Sequence, residues 1–134
     1  MKRILVILFL LLLTACQSND NVTLSPTTIS EVYPGNIMDV TMIELIDGSS
    51  GARARLDNKD EVDRLLNDIK DLVLEPDSNQ EERAGYIYRL ALYEKDELKL
   101  GFLPTAIDRT YYTFNEQLHS ILKELYTEKF NQQY

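Results

Sequence analysis

The chain has one cysteine, one histidine and no tryptophan among its 134 residues. Because Cys16 has no second thiol to pair with, no internal disulfide forms and packing alone must hold the fold. A zinc site takes three or four ligands from cysteine, histidine and carboxylate, so this composition argues against one. The lack of tryptophan removes a frequent platform for sugar rings. We therefore expect neither a metal nor another cofactor.

Basic charge is also scarce, since 14 lysines and arginines stand against 22 aspartates and glutamates. The formal net charge is -8 at pH 7. An acidic body argues against nonspecific nucleic-acid binding, which depends on cations that contact phosphates. It also argues against the domain lying flat on an anionic bilayer, where basic clusters are favoured. There is no internal repeat, and the length suits a single domain.

Long apolar runs are limited to residues 4–13. A membrane-spanning helix needs about 20 apolar residues, so this run is too short to cross the hydrocarbon. Lys2 and Arg3 precede it and Thr14-Ala15 follows it. A basic start, a short apolar core and a small-residue exit are typical of a secretion signal.

Leu13-Thr14-Ala15-Cys16 resembles the lipobox of bacterial lipoproteins. The resemblance implies that residues 1–15 are removed as a signal peptide and that the Cys16 thiol carries a diacylglycerol, with further acylation such as palmitate. Two or more acyl chains anchor a protein stably, whereas one holds it only marginally. We expect a lipid-anchored protein at the cell membrane that faces outside the cytoplasm. Residues 16–36 would form the lipidated, flexible tether, and residues 37–134 the globular domain.

Hydrophobic patterns along the domain predict strands and two helices. Strands are expected over 38–46, 52–56, 85–93, 98–103 and 109–114, with 72–75 as an additional short strand. Asp57 is the expected cap of the first helix, whose inner face would carry Val62 to Val73 at three- and four-residue steps. Asn115 would cap the second helix, which frays by Asn131. Tight turns between the late strands require antiparallel pairing.

These elements predict an α+β fold in the order β-β-α-β-β-β-α. We expect a single antiparallel sheet of five or six strands with both amphipathic helices packed on one face. Residues 45–51, the capped helix and residues 85–90 together resemble the body of small lipoproteins of Gram-positive bacteria. That resemblance implies a tethered α+β domain and supplies no catalytic residues.

Enzymatic chemistry finds little support in the residues. His119 is predicted on the flank or solvent side of the second helix, so we do not expect it to act as a catalytic base. The acidic run 57–61 lacks the glycine and glutamate spacing of a calcium loop and is better explained by helix capping. Gly48 and Gly51 belong to a loop that opens into a strand, so no helix dipole is available for a phosphate. No catalytic residue is assigned.

One pattern is more informative, because the uncovered face of the predicted sheet collects basic and aromatic side chains. The residues on this face are Arg53, Arg55, Arg89, Tyr93, Lys99, Arg109 and Tyr111. Arginine and tyrosine are favoured at recognition surfaces, so the face is a candidate site for an acidic protein or an anionic wall polymer. Two alternatives stay open: a solvated face whose cations pair with Glu44, Glu94 or Asp108, or a surface for oligomerisation.

The sequence therefore predicts a membrane-anchored extracytoplasmic lipoprotein that acts as a non-enzymatic binding or regulatory module. The alternative is a small cell-envelope hydrolase that works through carboxylates. A binding module predicts basic residues clustered on one exposed face. A hydrolase predicts a cleft that holds two carboxylates with displaced pKa values.

Overall fold

The structure is a computed structural model, and it describes residues 23–134. The predicted signal peptide and Cys16 lie outside the described residues. In chain order the elements are α1 Ile29–Val32, a 3₁₀ turn Ile37–Asp39, β1 Met42–Asp47, β2 Arg53–Leu56, α2 Lys59–Ile69, β3 Tyr88–Glu94, β4 Glu97–Phe102, β5 Ala106–Ile107, β6 Thr110–Tyr111 and α3 Glu116–Phe130.

Strands β1 to β4 form one antiparallel sheet in the order β2-β1-β3-β4, and β5 and β6 form a separate two-stranded ribbon. The α+β class is confirmed, but the main sheet has four strands where five or six were expected. The predicted strand over 109–114 is shorter than expected, since it comprises Thr110–Tyr111 and an isolated bridge at Tyr112. Asp108 and Arg109 both adopt positive φ values, 47° and 65°, and make the tight turn of the ribbon instead.

The core lies between one face of the sheet and the helices α2 and α3. Each strand contributes alternate residues to this face, and each helix contributes one stripe. The fully buried members include Ile43, Leu45, Leu56, Leu90, Leu92, Val62, Leu66, Ile69, Leu118, Leu122 and Tyr126. Both helices therefore cover the same face of the sheet, as predicted from their apolar stripes.

Helix α2 departs from the prediction at both ends. Its cap is Asn58, one residue after Asp57, and the Asn58 side chain accepts from the amides of Asp60 and Glu61. The helix ends at Ile69, so Val73 lies beyond it and is 53% exposed. Placing Val73 on the inner face was therefore wrong. Leu74 pairs with Thr27 in an isolated antiparallel bridge, which agrees with an extended segment at 72–75.

The second half of the predicted tether belongs to the folded domain. Thr28 and Glu31 form a capping box that begins α1. Ile29 is fully buried and Tyr33 is nearly so. The polar residues of this stretch indicated a flexible connector, but its apolar side chains recur with helical spacing and enter the core. The domain boundary at residue 37 is corrected to about residue 27.

Strand β4 contains a bulge that redirects one apolar side chain. Leu92 pairs with Leu100, but the next residue, Tyr93, pairs with Leu98, so Lys99 is the extra residue. In a regular strand, Leu98 would lie on the same side as Leu100, which is the core side. The bulge moves Leu98 to the opposite face, where it is 51% exposed.

Across residues 23–134, none of the helices combines the length and the hydropathy that crossing a bilayer requires.

Candidate binding face

The sheet face opposite α2 and α3 is called the open face here. Strand pairing places three arginines and one glutamate on it, a net of two positive charges. The residues of the open face are Met42, Glu44, Ile46, Arg53, Arg55, Arg89, Ala91, Tyr93, Leu98 and Gly101. Their alternation with core residues follows from the two-residue period of a strand.

Two of the arginines share a carboxylate. Arg53 Nη1 lies 2.7 Å from Glu44 Oε1, and Arg55 Nε lies 3.7 Å from Glu44 Oε2. Glu44 is only 5% exposed, whereas both arginine side chains extend into solvent. The arginine ends of both pairs are solvated, whereas the carboxylate that they share is buried. Glu44 therefore neutralises part of the charge at this edge of the open face, as the solvated-face alternative expected.

Arg89 is different, because its guanidinium has no ion pair and no hydrogen bond with any residue between 23 and 134. It extends along Gly101, where an added Cβ would meet Arg89 Nη2 at 3.5 Å. A groove of about 250 Å³ lies beside it, lined by Tyr86, Gly101 and Leu103. An exposed cation over a groove is suited to an anionic group.

The backbone of Arg89 is held from the core side. The Tyr126 hydroxyl of α3 donates to the Arg89 carbonyl at 2.6 Å and accepts from the Arg89 amide at 3.1 Å. Tyr126 is fully buried, and its burial raises the pKa of its phenol above the ordinary value. The ring also packs edge-on against Tyr88, with ring centroids 4.7 Å apart. Helix α3 thereby fixes the strand that carries the Arg89 guanidinium.

An apolar row borders the cations on the open face. The row consists of Met42 on β1, Tyr93 on β3 and Leu98 on β4. Tyr93 is in the middle and pairs with both of the others. Leu98 is half exposed, and the other two are partly exposed. The row exists because the bulge at Lys99 turns Leu98 outward. Apolar and aromatic area next to arginine is the composition of protein recognition surfaces.

The seven side chains predicted for this face do not all come together. Four of them, Arg53, Arg55, Arg89 and Tyr93, do lie on the open face. Lys99 occupies the bulge, and its Nζ lies 3.6 Å from Glu97. Arg109 and Tyr111 lie on the β5–β6 ribbon, so their assignment to the sheet face is corrected.

Some of the predicted residues have contacts away from the open face. The Arg83 guanidinium lies 4.8 Å from the centroid of the Tyr111 ring, so Tyr111 belongs to a separate cation–π contact. Glu94 accepts a hydrogen bond from the Tyr33 hydroxyl at 2.6 Å instead of pairing with a cation of the sheet. Of the three predicted acceptors, Glu44 is the one that pairs with arginines of the open face.

A second concave feature was missed from the sequence. A cleft of about 230 Å³ lies between the segment before β3, the chain after β4 and the start of α3, and its walls include Tyr86, Ile87, Leu103, Phe114 and His119. His119 is half-buried, with its ring centroid 4.8 Å from that of Phe114 and 5.4 Å from that of Tyr88. The prediction that this histidine lies on the flank of its helix agrees with this placement.

Loop 47–51 positions Tyr86. Gly48 approaches the 85–87 segment so closely that an added Cβ would lie 1.9 Å from the Tyr86 carbonyl oxygen. The Gly48 amide donates to the Ile87 carbonyl at 2.8 Å. Hydrogen bonds from Ser50 and then Ser49 lower the pKa of the Asp47 carboxyl to about 2, and they close the loop. The cleft wall therefore depends on a glycine in another part of the chain.

Between residues 23 and 134 there is no group of three or more histidine, cysteine or acidic side chains that could hold a metal ion. Within the same range, the carboxyls with clear pKa shifts are those of Asp47, Asp71 and Asp77, and hydrogen bonds to the carboxylate lower each of these pKa values. No protein-family model, curated protein or solved structure matches the chain.

Proposed function

We propose that the protein is a lipoprotein anchored through Cys16 to the outer side of the cell membrane, and that its open face binds an acidic segment of a protein partner without catalysis. The observation that carries the proposal is Arg89, a solvent-exposed cation with no partner in the described part of the chain and a groove beside it. Arg53 and Arg55 extend the positive potential along the same face. Complementary charge of this kind guides encounter and fixes the register of a partner.

A protein partner fits the open face better than an anionic wall polymer. A polymer of charged repeats uses an unbroken line of cations, and here Glu44 interrupts that line. The apolar row of Met42, Tyr93 and Leu98 offers area that a highly hydrated polymer cannot use. Apolar side chains of a protein segment would bury this row while neighbouring carboxylates meet the arginines.

The lipid supplies the second half of the mechanism. Confining the domain to the membrane raises its effective concentration toward other membrane-bound partners, so a modest intrinsic affinity suffices. A hydrolase is less well supported, because a glycosidase of that type needs one carboxylic acid whose pKa is raised so that it can donate a proton. Among the residues that the structure describes, the carboxyls with clear shifts are Asp47, Asp71 and Asp77, and their pKa values are lowered instead.

The open face can be tested in living cells with a photoreactive phenylalanine analogue in place of Tyr93. Tyr111, an aromatic residue on the ribbon, is the matched control position. We expect an adduct from position 93 that disappears in the Arg53→Gln, Arg89→Gln double variant and persists in Arg109→Gln. Mass spectrometry should locate the cross-link in an acidic segment of the partner. Failure to form an adduct from position 93, or an adduct that enzymes digesting the wall convert to smaller forms, contradicts the proposal.

The anchor has its own test. Mass measurement of the mature protein should give a chain that begins at Cys16 and carries the added mass of a diacylglycerol. Labelled palmitate should enter the wild-type protein but not Cys16→Ser. If Cys16→Ser fractionates with the membrane as the wild type does, the lipid anchor is not what holds the protein there.

A further inference from the structure

The cleft behind Tyr86 exposes a cluster of apolar side chains that the core does not use. Phe114 is 63% exposed and Ile87 is 53% exposed, and both line this cleft together with Tyr86. Side chains this large at the surface, when clustered around a concavity, mark interaction sites more often than isolated exposed residues do. His119 and Asn115 supply the polar edge of the cleft.

The size of the cleft limits what it can hold. Its volume of about 230 Å³ is below the roughly 300–1,000 Å³ of sites that enclose whole small molecules. A space of this size accommodates one bulky apolar side chain. The Asn115 side chain is already engaged, because it caps α3 through Leu118 and donates to the Val73 carbonyl. The cleft therefore offers shape and apolar contact, with little capacity for specific polar recognition.

The cleft and the groove at Arg89 are adjacent. Tyr86 and Leu103 line both of them, so the two concavities lie on either side of a shared wall. One concavity is apolar, and the other has the Arg89 guanidinium at its edge. A single extended segment that crosses this wall would present an apolar side chain on one side and a carboxylate on the other. The occupant that fits both concavities is therefore a segment that carries an apolar side chain close to a carboxylate.

We propose that the cleft is the anchor pocket for one bulky apolar side chain of an acidic partner segment, with a neighbouring carboxylate of the same segment on Arg89. The inference rests on the proposed function, because it specifies which part of the partner the open face receives. Side chains that fill central pockets contribute most of the binding energy at protein interfaces. A membrane surface would be a different occupant, and it is disfavoured by the acidity of the chain.

The probe for this test is a blocked pentapeptide with four glutamates around a central phenylalanine. One twin peptide has alanine at the centre, and a second has glutamines in place of the glutamates. The purified full chain, labelled with ¹⁵N and held in mild detergent, is titrated with each peptide while amide resonances are followed. We expect the acidic phenylalanine peptide to shift the amides of Ile87, Phe114 and Arg89, and to bind at least tenfold more tightly than either twin.

Variants assign the two contacts separately. Phe114→Ser and Ile87→Ser should each weaken the phenylalanine peptide about tenfold, and both positions are exposed enough for the fold to be retained. Val73→Ser is the matched control, since Val73 is exposed to the same extent as Ile87 and does not line the cleft. It should change affinity by less than twofold. Arg89→Gln should weaken the acidic peptide at least fivefold and leave the glutamine twin unaffected.

Each other outcome overturns the inference in a distinguishable way. If the alanine twin binds as tightly and shifts only Arg89, the open face binds anions but the cleft is not an anchor, and the proposed function stands. If the glutamine twin binds as tightly, the cleft accepts an apolar side chain without any role for charge, and the proposed function fails with the inference. If no peptide binds, or if phosphatidylglycerol vesicles shift the cleft amides instead, the anchor-pocket assignment is wrong.

Discussion

Replacing Gly48 with alanine should destabilise the domain and deform the cleft together. The added Cβ would lie 1.9 Å from the Tyr86 carbonyl oxygen, and real contacts of this kind are essentially never below 3.0 Å. The two segments must therefore separate by about 1.1 Å, the difference between these distances. That movement strains or breaks the 2.8 Å hydrogen bond from the Gly48 amide to Ile87.

The expected cost can be estimated from these two effects. Overpacking typically costs about 1–3 kcal/mol, and one hydrogen bond contributes about 1 kcal/mol, so Gly48→Ala should lower the free energy of unfolding by about 2–4 kcal/mol. Gly51→Ala is the control in the same loop. Gly51 has φ 75° and nothing within 4 Å of its added Cβ, so only backbone strain of about 1 kcal/mol is expected.

Urea denaturation followed by far-ultraviolet circular dichroism measures both values. In the same samples, the amide resonances of Tyr86 and Ile87 should move in Gly48→Ala and stay in place in Gly51→Ala. If Gly48→Ala costs no more than Gly51→Ala, the close approach of the loop to Tyr86 does not exist and the positioning of the cleft wall needs another explanation.

Tyr126→Phe removes the hydroxyl that contacts the Arg89 backbone and should cost about 1–3 kcal/mol in urea denaturation; a loss below 0.5 kcal/mol, as a rough threshold, argues that the contact contributes nothing. The hydrogen bonds at Asp47 lower the pKa of its carboxyl from 3.8 to about 2, so they stabilise the fold above pH 4 and are lost as the pH falls toward 2. Acid titration of Asp47→Asn should lack this component, and an unchanged profile contradicts it. Glu44→Gln removes the negative charge that Arg53 and Arg55 share on the open face, and it should increase adduct formation at position 93; fewer adducts would count against the charge mechanism.

Local sequence patterns predict the elements whose structure is determined by residues close together in the chain. The Asn115 cap, the stripe of α3 and the hairpin between β3 and β4 all depend on side chains within a few positions of one another. The alternation of Arg53 and Arg55 with Ala54 and Leu56 was likewise enough to place both arginines on the open face. For these elements, periodicity and capping chemistry predict the observed arrangement directly.

The remaining features depend on contacts between distant segments. Leu98, Leu100 and Phe102 alternate regularly, so nothing in their order reveals that the bulge at Lys99 turns one of them outward. The Asp108–Arg109 turn lacks the glycine that usually marks such turns, and the predicted strand therefore began at Arg109, inside the turn. The cleft requires the approach of Gly48 to Tyr86, which are 38 positions apart. Gly48 could be recognised only as a loop glycine.

The bridge between Thr27 and Leu74 would determine how far the domain can travel from a lipid anchor at Cys16. Should Cys16 carry the lipid, only eleven residue steps separate the bilayer from the first paired residue, and they span at most about 40 Å. A tether reaching residue 37 would have allowed nearly twice that radius. The domain would thus stay close to the bilayer surface. The segment that it binds would have to belong to a protein embedded in, or attached to, the same membrane.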